Sequence, residues 1–340
     1  MHLVRAAAIL HPYTRDKVLE PFRDPRVNIF RGNELERNDL PHVALVFGGD
    51  GSVHRVLGAL AGSETPLLVV PTGSGNDFAD AIGLRSVADS LRAWRRYLDR
   101  RDNVRAIDLG VISALEDVTT QLDESAEPVK GRTFAAEDGS FPRPESRLGP
   151  TIMRQHLHHL YEQVREERQV YFCCIAGVGL DAEANARANR MSSWMRGHGG
   201  YVISVLRALW SHHPRPVNVE WWNQRDGTSG SFVDAPALLV AFGNSPNYGN
   251  GMRMLPHAAL DDGLLDLCCI RHLPRLKVLR LFHTIFSGRH LGIKEVEYHQ
   301  VTRLRVAPQE PMPVYADGEF CGSTPVDVSV APSALQLILP

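Results

Sequence analysis

The chain has 340 residues, 44% hydrophobic and 22% charged, with a formal net charge of −2 at pH 7. That length accommodates two domains. The lack of a basic excess argues against a nucleic-acid binder, and no apolar run reaches the ~18 residues of a membrane span.

The first ten residues read as a strand that turns at His11-Pro12, not as a signal peptide. Residues 1–107 then alternate strands and helices. Strands are predicted near 3–10, 25–30, 43–47 and 66–70, and helices near 15–22, 52–61 and 86–101. Such alternation makes a mostly parallel sheet with helices on its faces.

Two of these strands end in glycine loops. Val43-Ala44-Leu45-Val46-Phe47 runs into Gly48-Gly49-Asp50-Gly51-Ser52, after which Val53, Val56, Leu57 and Leu60 recur at helical spacing. Pro66-Leu67-Leu68-Val69-Val70 runs into Pro71-Thr72-Gly73-Ser74-Gly75-Asn76-Asp77-Phe78-Ala79. Glycines let backbone N–H groups close on an anion, and a helix N-terminus favours negative charge. Loops at the carboxyl ends of parallel strands line one cleft. Gly48, Gly49, Gly51 and Gly73 suit a phosphate cradle, and Ser52 and Ser74 offer hydroxyls. The chain lacks a P-loop, and Phe78 stands where a dinucleotide fingerprint needs its third glycine. Asp50 and Asp77 would repel phosphate unless Mg²⁺ bridged them; capping of the following helix is the alternative for each.

Residues 113–149 are acidic and poor in apolar side chains, which predicts a mobile surface insertion. Residues 151–168 place Met153, Leu157, Leu160, Tyr161 and Val164 on one helical face. His156 and His159 on that helix have a metal-ligand spacing that a solvated polar face explains as well. Strands follow near 169–180, 217–223, 232–243, 264–271, 301–307, 313–321 and 334–339, with helices near 198–211 and 274–285. The five cysteines fall as Cys173-Cys174, Cys268-Cys269 and Cys321. Adjacent cysteines in a strand point to opposite faces, and the spacing is not that of zinc or redox motifs. They read as buried free thiols in a reducing cytosol. Leu91 to Arg101 and Arg187 to Arg196 mix arginines with large apolar side chains, which suits an anionic interface or an ordinary packed helix equally. Asp317-Gly318 alone is a hairpin signal.

The two glycine motifs together resemble the bacterial diacylglycerol kinase and sphingosine kinase family of lipid kinases. NAD kinases and phosphofructokinases share the first motif, and the second separates the lipid kinases from them. The resemblance continues at Ile107-Asp108-Leu109-Gly110, Gly177 to Ala182, Gly243 to Gly251, Leu260 to Asp266 and Tyr315 to Glu319; roughly 113–168 has no match. It implies an α/β nucleotide-binding domain over 1–107, a β-sandwich-like lipid-substrate domain over 108–340, and an active site between them. It implies transfer of the γ-phosphoryl group of ATP, with Mg²⁺, to a lipid hydroxyl. Diacylglycerol is the leading acceptor; sphingoid bases, ceramide, other glycerolipids and polyisoprenoids are alternatives. A non-catalytic nucleotide- or lipid-binding protein is the alternative of another class.

By the same resemblance, Gly48, Gly49, Asp50, Gly51, Ser52, Gly73, Ser74, Asn76 and Asp77 bind the nucleotide. Glu319 is the general base, with Asp317 as its partner. The Asp262 side chain and the carbonyls of Ala259 and Leu264 hold a structural Mg²⁺. The family's first motif usually ends in Thr, followed by Asn and Glu two and three residues later; here Ser52, His54 and Arg55 stand there. His54 matches the sphingosine and ceramide kinase branch. The protein is expected to be cytoplasmic and to meet its lipid peripherally at the membrane surface. Its oligomeric state stays open, a homodimer included.

Overall fold

The structure is a computed structural model that describes residues 3–10, 14–32, 34–114, 169–189, 201–249 and 251–340. The expected insertion beyond residue 114, the 151–168 helix with His156 and His159, and 190–196 lie outside the described residues.

The first unit is built on four parallel strands. β1 (Val4–Leu10) pairs with β2 (Val27–Gly32) on one side and β3 (Val43–Gly48) on the other, and β3 pairs with β4 (Leu67–Pro71). β3 is buried along its whole length and β4 at all but its last residue. Burial on both faces is why these strands are continuous apolar runs. The expected helix at 15–22 is instead a 3-10 turn over Asp16–Phe22, since Pro21 inside it cannot donate to an α-helical ladder.

Two longer helices cover the sheet. α1 (Asp50–Leu60) buries Val53, Val56, Leu57 and Leu60. α3 (Val87–Arg100) follows the short α2 (Asp77–Ala81) and buries Ala93, Trp94 and Tyr97. The Trp94 indole donates to the Phe22 carbonyl at 2.8 Å, and Arg92 and Arg96 pair with Asp89 and Asp102. The arginine-aromatic stretch at 91–101 is thus a helix packed on the sheet.

Two long strands join this unit to the second. β5 (Val104–Ala114) and β15 (Val326–Ile338) pair antiparallel, with a shift in register between Ala331 and Leu335. β5 lay outside the predicted strands, because Asp108 and Gly110 interrupt its apolar run. Gly110 is required there: a Cβ would overlap the Phe172 ring. The first half of β15 pairs with β12 (Arg303–Pro308), and its end reaches β4 through Leu337 and Leu67. Leu335, Leu337 and Ile338 therefore share the core of the first unit.

The second unit is antiparallel and β-sandwich-like. Beyond β15 the strand order is β12, β8 (Arg215–Asn223), β9 (Thr228–Gly243), β7 (Ile175–Gly179), β13 (Pro313–Ala316) and β14 (Glu319–Ser323). β10 (Leu265–Arg271) pairs with β9 and with β11 (Val296–Val301), and β6 (Val170–Phe172) pairs with β5. One core includes Val219, Phe242, Leu267 and Leu304. The other lies under three helices, α4 (Leu180–Ala188), α5 (Tyr201–Ser211) and α6 (Arg275–Leu281). All five cysteines are free and buried. Cys268 and Cys269 divide between the two cores, as period-2 alternation requires. Cys173 and Cys174 do not follow that expectation. They occupy a bend between β6 and β7 rather than a strand, so their thiols face one another.

Candidate active site

Neighbouring strands bring the two glycine loops together. Gly48 lies opposite Pro71 in the β3–β4 register, so both loops leave the sheet at one edge. Asp50 N–H donates to Gly75 O at 3.1 Å, and Thr72 N–H to Gly48 O at 3.1 Å. A Cβ on Gly49 would overlap the Gly75 carbonyl, and one on Gly73 would overlap the Gly49 nitrogen. These loops touch backbone to backbone, which only glycine permits.

Asp50 fastens the pair. Its Oδ2 accepts from Asp77 N–H at 3.1 Å and its Oδ1 from Phe78 N–H at 3.0 Å. It therefore caps α2, the helix of the other loop, rather than its own. Asn76 donates to Gly73 O at 2.9 Å and braces the second loop. Burial first, and then the charge of Asp77, push the Asp50 carboxyl up to about 7 against those two backbone donors. A cation among these oxygens would reverse that repulsion, and an all-carboxylate corner fits the hard Mg²⁺ ion in kind.

A hairpin from the second unit faces the loops. Ala316 pairs with Glu319, and Asp317 (φ 51°) with Gly318 (φ 84°) fills the two left-handed positions between them. The tight turn that Asp-Gly signals is present; it turns Glu319 toward Gly51 of the first loop and Asp317 toward His54 and the Cys173-Cys174 bend. The Asp317 side chain has no exposed surface. Its Oδ1 accepts from Cys174 N–H at 2.8 Å, and its Oδ2 accepts from Cys173 N–H at 3.0 Å. His54 Nδ1, from α1, lies 3.1 Å from the same Oδ2. Burial opposes the charge on His54, but hydrogen bonds to Asp317 and Cys321 outweigh it and raise the imidazole to about 10. A charged imidazolium–carboxylate pair thus links the two units. Glu319 is exposed, and a Cβ on Gly51 would overlap its Oε1. The absence of a side chain at Gly51 is what lets Glu319 reach the loop.

Between loops and hairpin lies a cleft of about 1170 Å³, large enough for a nucleotide and part of an acceptor. Its walls include Gly48 to Ser52, Gly73, Ser74, Asp77, Asp317 and Glu319; Asn76 stands behind them. An apolar pocket of about 80 Å³ lies beside it, walled by residues such as Leu239, Met254 and Ile285. Tyr248 borders both. Its hydroxyl accepts from Asn185 at 2.8 Å and donates to the buried Asp181. The family resemblance runs through Asp181 and Tyr248 without giving either a role, and Asn185 lies outside it. The available signal was an acid and an amide four residues apart on a helix otherwise rich in alanine.

The 259–264 loop lies away from the cleft, against Asp108. The Asp108 carboxylate accepts from Gly263 N–H and, at 2.7 Å, from Ser333 N–H. Asp262 Oδ1 accepts from Leu264 N–H at 3.0 Å. Burial raises the Asp262 carboxyl, Asp108 raises it further, and the Leu264 N–H and Arg225 oppose. One carboxylate with the Ala259 and Leu264 carbonyls is the oxygen set that Mg²⁺ takes. Arg225, packed against Gly263, is the cation already at that corner. If Mg²⁺ binds there, its addition should raise the melting temperature of the wild type and not of Asp262→Ala. Saturation at 100 times Kd adds about 2.7 kcal/mol. Equal melting shifts in both proteins would leave the corner to Arg225. Cys173, Cys174 and Asp317 also bring ligand atoms within 4.8 Å of one another. Thiols suit softer metals than Mg²⁺, and burial pushes Cys173 up to about 12.

Paired glycine loops on a parallel sheet, closed by a carboxylate hairpin from a β-sandwich, define a two-unit kinase fold. Residues 32–112 match the diacylglycerol kinase catalytic domain, and residues 174–339 match the YegS C-terminal NAD kinase β-sandwich-like domain. The chain is 32% identical over 304 residues to a diacylglycerol kinase of Mycobacterium tuberculosis, covering 87% of this chain and 76% of the relative. It is 25% identical over 297 residues to a YegS-like lipid kinase of Chromohalobacter salexigens, covering 86% and 74%. The crystal structure of a diacylglycerol kinase from Bacillus anthracis shares the fold, with a TM-score of 0.62 at 17% identity over 100% of this chain and 97% of that one. The chain belongs to the diacylglycerol kinase and YegS-like family of lipid kinases.

Proposed function

We propose that the protein transfers the γ-phosphoryl group of ATP to the free hydroxyl of diacylglycerol, giving phosphatidic acid. The observation that carries this reading is the Glu319 carboxylate held against Gly51 of the first glycine loop. Phosphoryl transfer depends mainly on positioning and charge neutralisation. The glycine loops and the N-terminus of α1 cradle the phosphates, and Asp50 keeps the two loops in one cradle. Mg²⁺, when bound near Asp50 and Asp77, supplies neutralisation of the phosphate oxygens. Glu319 takes the acceptor's proton as its oxygen bonds to phosphorus and the bond to the β-phosphate oxygen breaks. Asp317 and His54 fix the turn that carries Glu319. The neighbouring apolar pocket takes the start of an acyl chain.

A sphingoid base is the second reading. His54 favours it, as does the buried Asp181 between pocket and cleft, since a carboxylate there suits an amine. No helix among the described residues is long and apolar enough to cross a membrane. Either reading has the lipid met at the bilayer surface. Incubation with labelled ATP and Mg²⁺ across diacylglycerol, sphingosine, ceramide and a total lipid extract should label phosphatidic acid. A labelled sphingoid base would select the second reading. Absence of label on every lipid would sink both.

A further inference from the structure

The second unit carries a surface that the site chemistry leaves unused. α5 exposes Ile203 and Trp210 at 41% and 58%, and the segment from α6 onward exposes Leu276 and Phe286 at 79% and 41%. Among the described residues, half of the eight large exposed hydrophobics lie on these two segments. The segments adjoin: Arg275 donates to the Leu209 carbonyl at 3.2 Å and to the His212 carbonyl at 3.4 Å. Their charge is one-sided. Residues 201–215 and 272–294 contain no Asp or Glu, although the chain holds 39 of them. Arg207, Arg275, Lys277, Arg280 and Arg289 are all exposed there.

The apolar pocket opens beneath this surface. Val205 of α5 and Val278 and Leu281 of α6 are among its walls, so the exposed side chains frame the pocket from outside. Apolar side chains interleaved with basic ones match the interface of an anionic bilayer; the bordering acids Glu295 and Glu183 pair with Lys277 at 2.6 Å and with His212 at 2.9 Å. A second copy of the chain fits less well, because an isologous contact would bring like charges together.

We propose that the α5–α6 face docks on anionic bilayers and sets the apolar pocket against the lipid acyl chains. This rests on the lipid-acceptor reading above. The stretch at 91–101, equally basic and aromatic in sequence, is excluded because Trp94 and Tyr97 are buried in the first core.

The test uses the whole protein with phosphatidylcholine vesicles, with and without phosphatidylglycerol. The wild type should co-sediment with the anionic vesicles, and binding should fall as salt rises. Trp210→Ser with Leu276→Ser, and separately Arg207→Glu with Arg280→Glu, should weaken that binding by about tenfold or more. None of these residues lines the cleft or the pocket. Turnover of a monomeric short-chain diacylglycerol should therefore stay at the wild-type rate, while turnover of vesicle-embedded diacylglycerol falls. Unchanged vesicle binding by both variants would overturn the proposal, as would full wild-type binding to neutral vesicles at high salt. A dimer that dissociates in the variants without loss of vesicle binding would assign the face to a second copy. If the wild type fails on the short-chain substrate, the diacylglycerol reading fails, while sedimentation still reports on docking.

Discussion

Glu319→Gln is expected to lower turnover by ~10²–10⁴, equivalent to about 3–5 kcal/mol of barrier. The substitution keeps size and hydrogen bonding and removes basicity. Its position argues for a chemical role. Glu319 opens β14, immediately after a turn whose two left-handed residues fix its direction. Its Oε1 would overlap a Cβ on Gly51, at the lip of the first glycine loop. In the proposed function ATP would be held by backbone groups of the two loops, so its affinity by calorimetry should be nearly unchanged. Single-turnover phosphoryl transfer should carry the whole loss. Retention of more than about a third of wild-type turnover, with chemistry rate-limiting, would place the base elsewhere. Asp317 would be the next residue to examine, although both its oxygens already accept hydrogen bonds.

The parts of this molecule that were legible in sequence are those enforced by local sterics. A glycine forced by backbone contact leaves its mark at one position, and Gly49 and Gly73 did so at two strand ends. The β3 and β4 runs announced double burial, and Asp317-Gly318 announced a turn. What stayed hidden is carried by contacts far apart in the chain. Asp50 caps a helix that begins beyond the next strand. Asp317 is held by Cys173, 144 residues away, and by His54, 263 residues away. The Cys173-Cys174 bend broke an alternation that held at Cys268-Cys269, because a bend interrupts the pleat on which alternation depends. Of the two basic-apolar stretches weighed in sequence, 91–101 buries its aromatics on a sheet, and 187–196 lies mostly outside the described residues. The helix at 201–211 carries a single arginine, so its exposed Trp210 left no comparable mark in composition.

Asp317→Ala is expected to destabilise the fold by about 3–5 kcal/mol, the usual cost of removing one member of a buried ion pair. It leaves the Cys173 and Cys174 N–H groups and the His54 imidazole without their acceptor. Asp317→Asn should cost less, because the amide oxygen can still accept while the charge is lost. The pH dependence identifies the partner. His54 is raised in the folded state from 6.5 to about 10. A base whose folded pKa is raised contributes stability that is fully present below its unfolded value and is lost as pH rises through the folded one. His54→Asn should therefore melt below the wild type by the widest margin near pH 6, and the margin should shrink towards pH 10. Asp317→Asn should flatten the same slope, and the double substitution should cost less than the two single losses together. A His54→Asn deficit that is constant across this range would mean that the imidazole is held by packing alone. The two units would then meet at Asp317 without the ion pair.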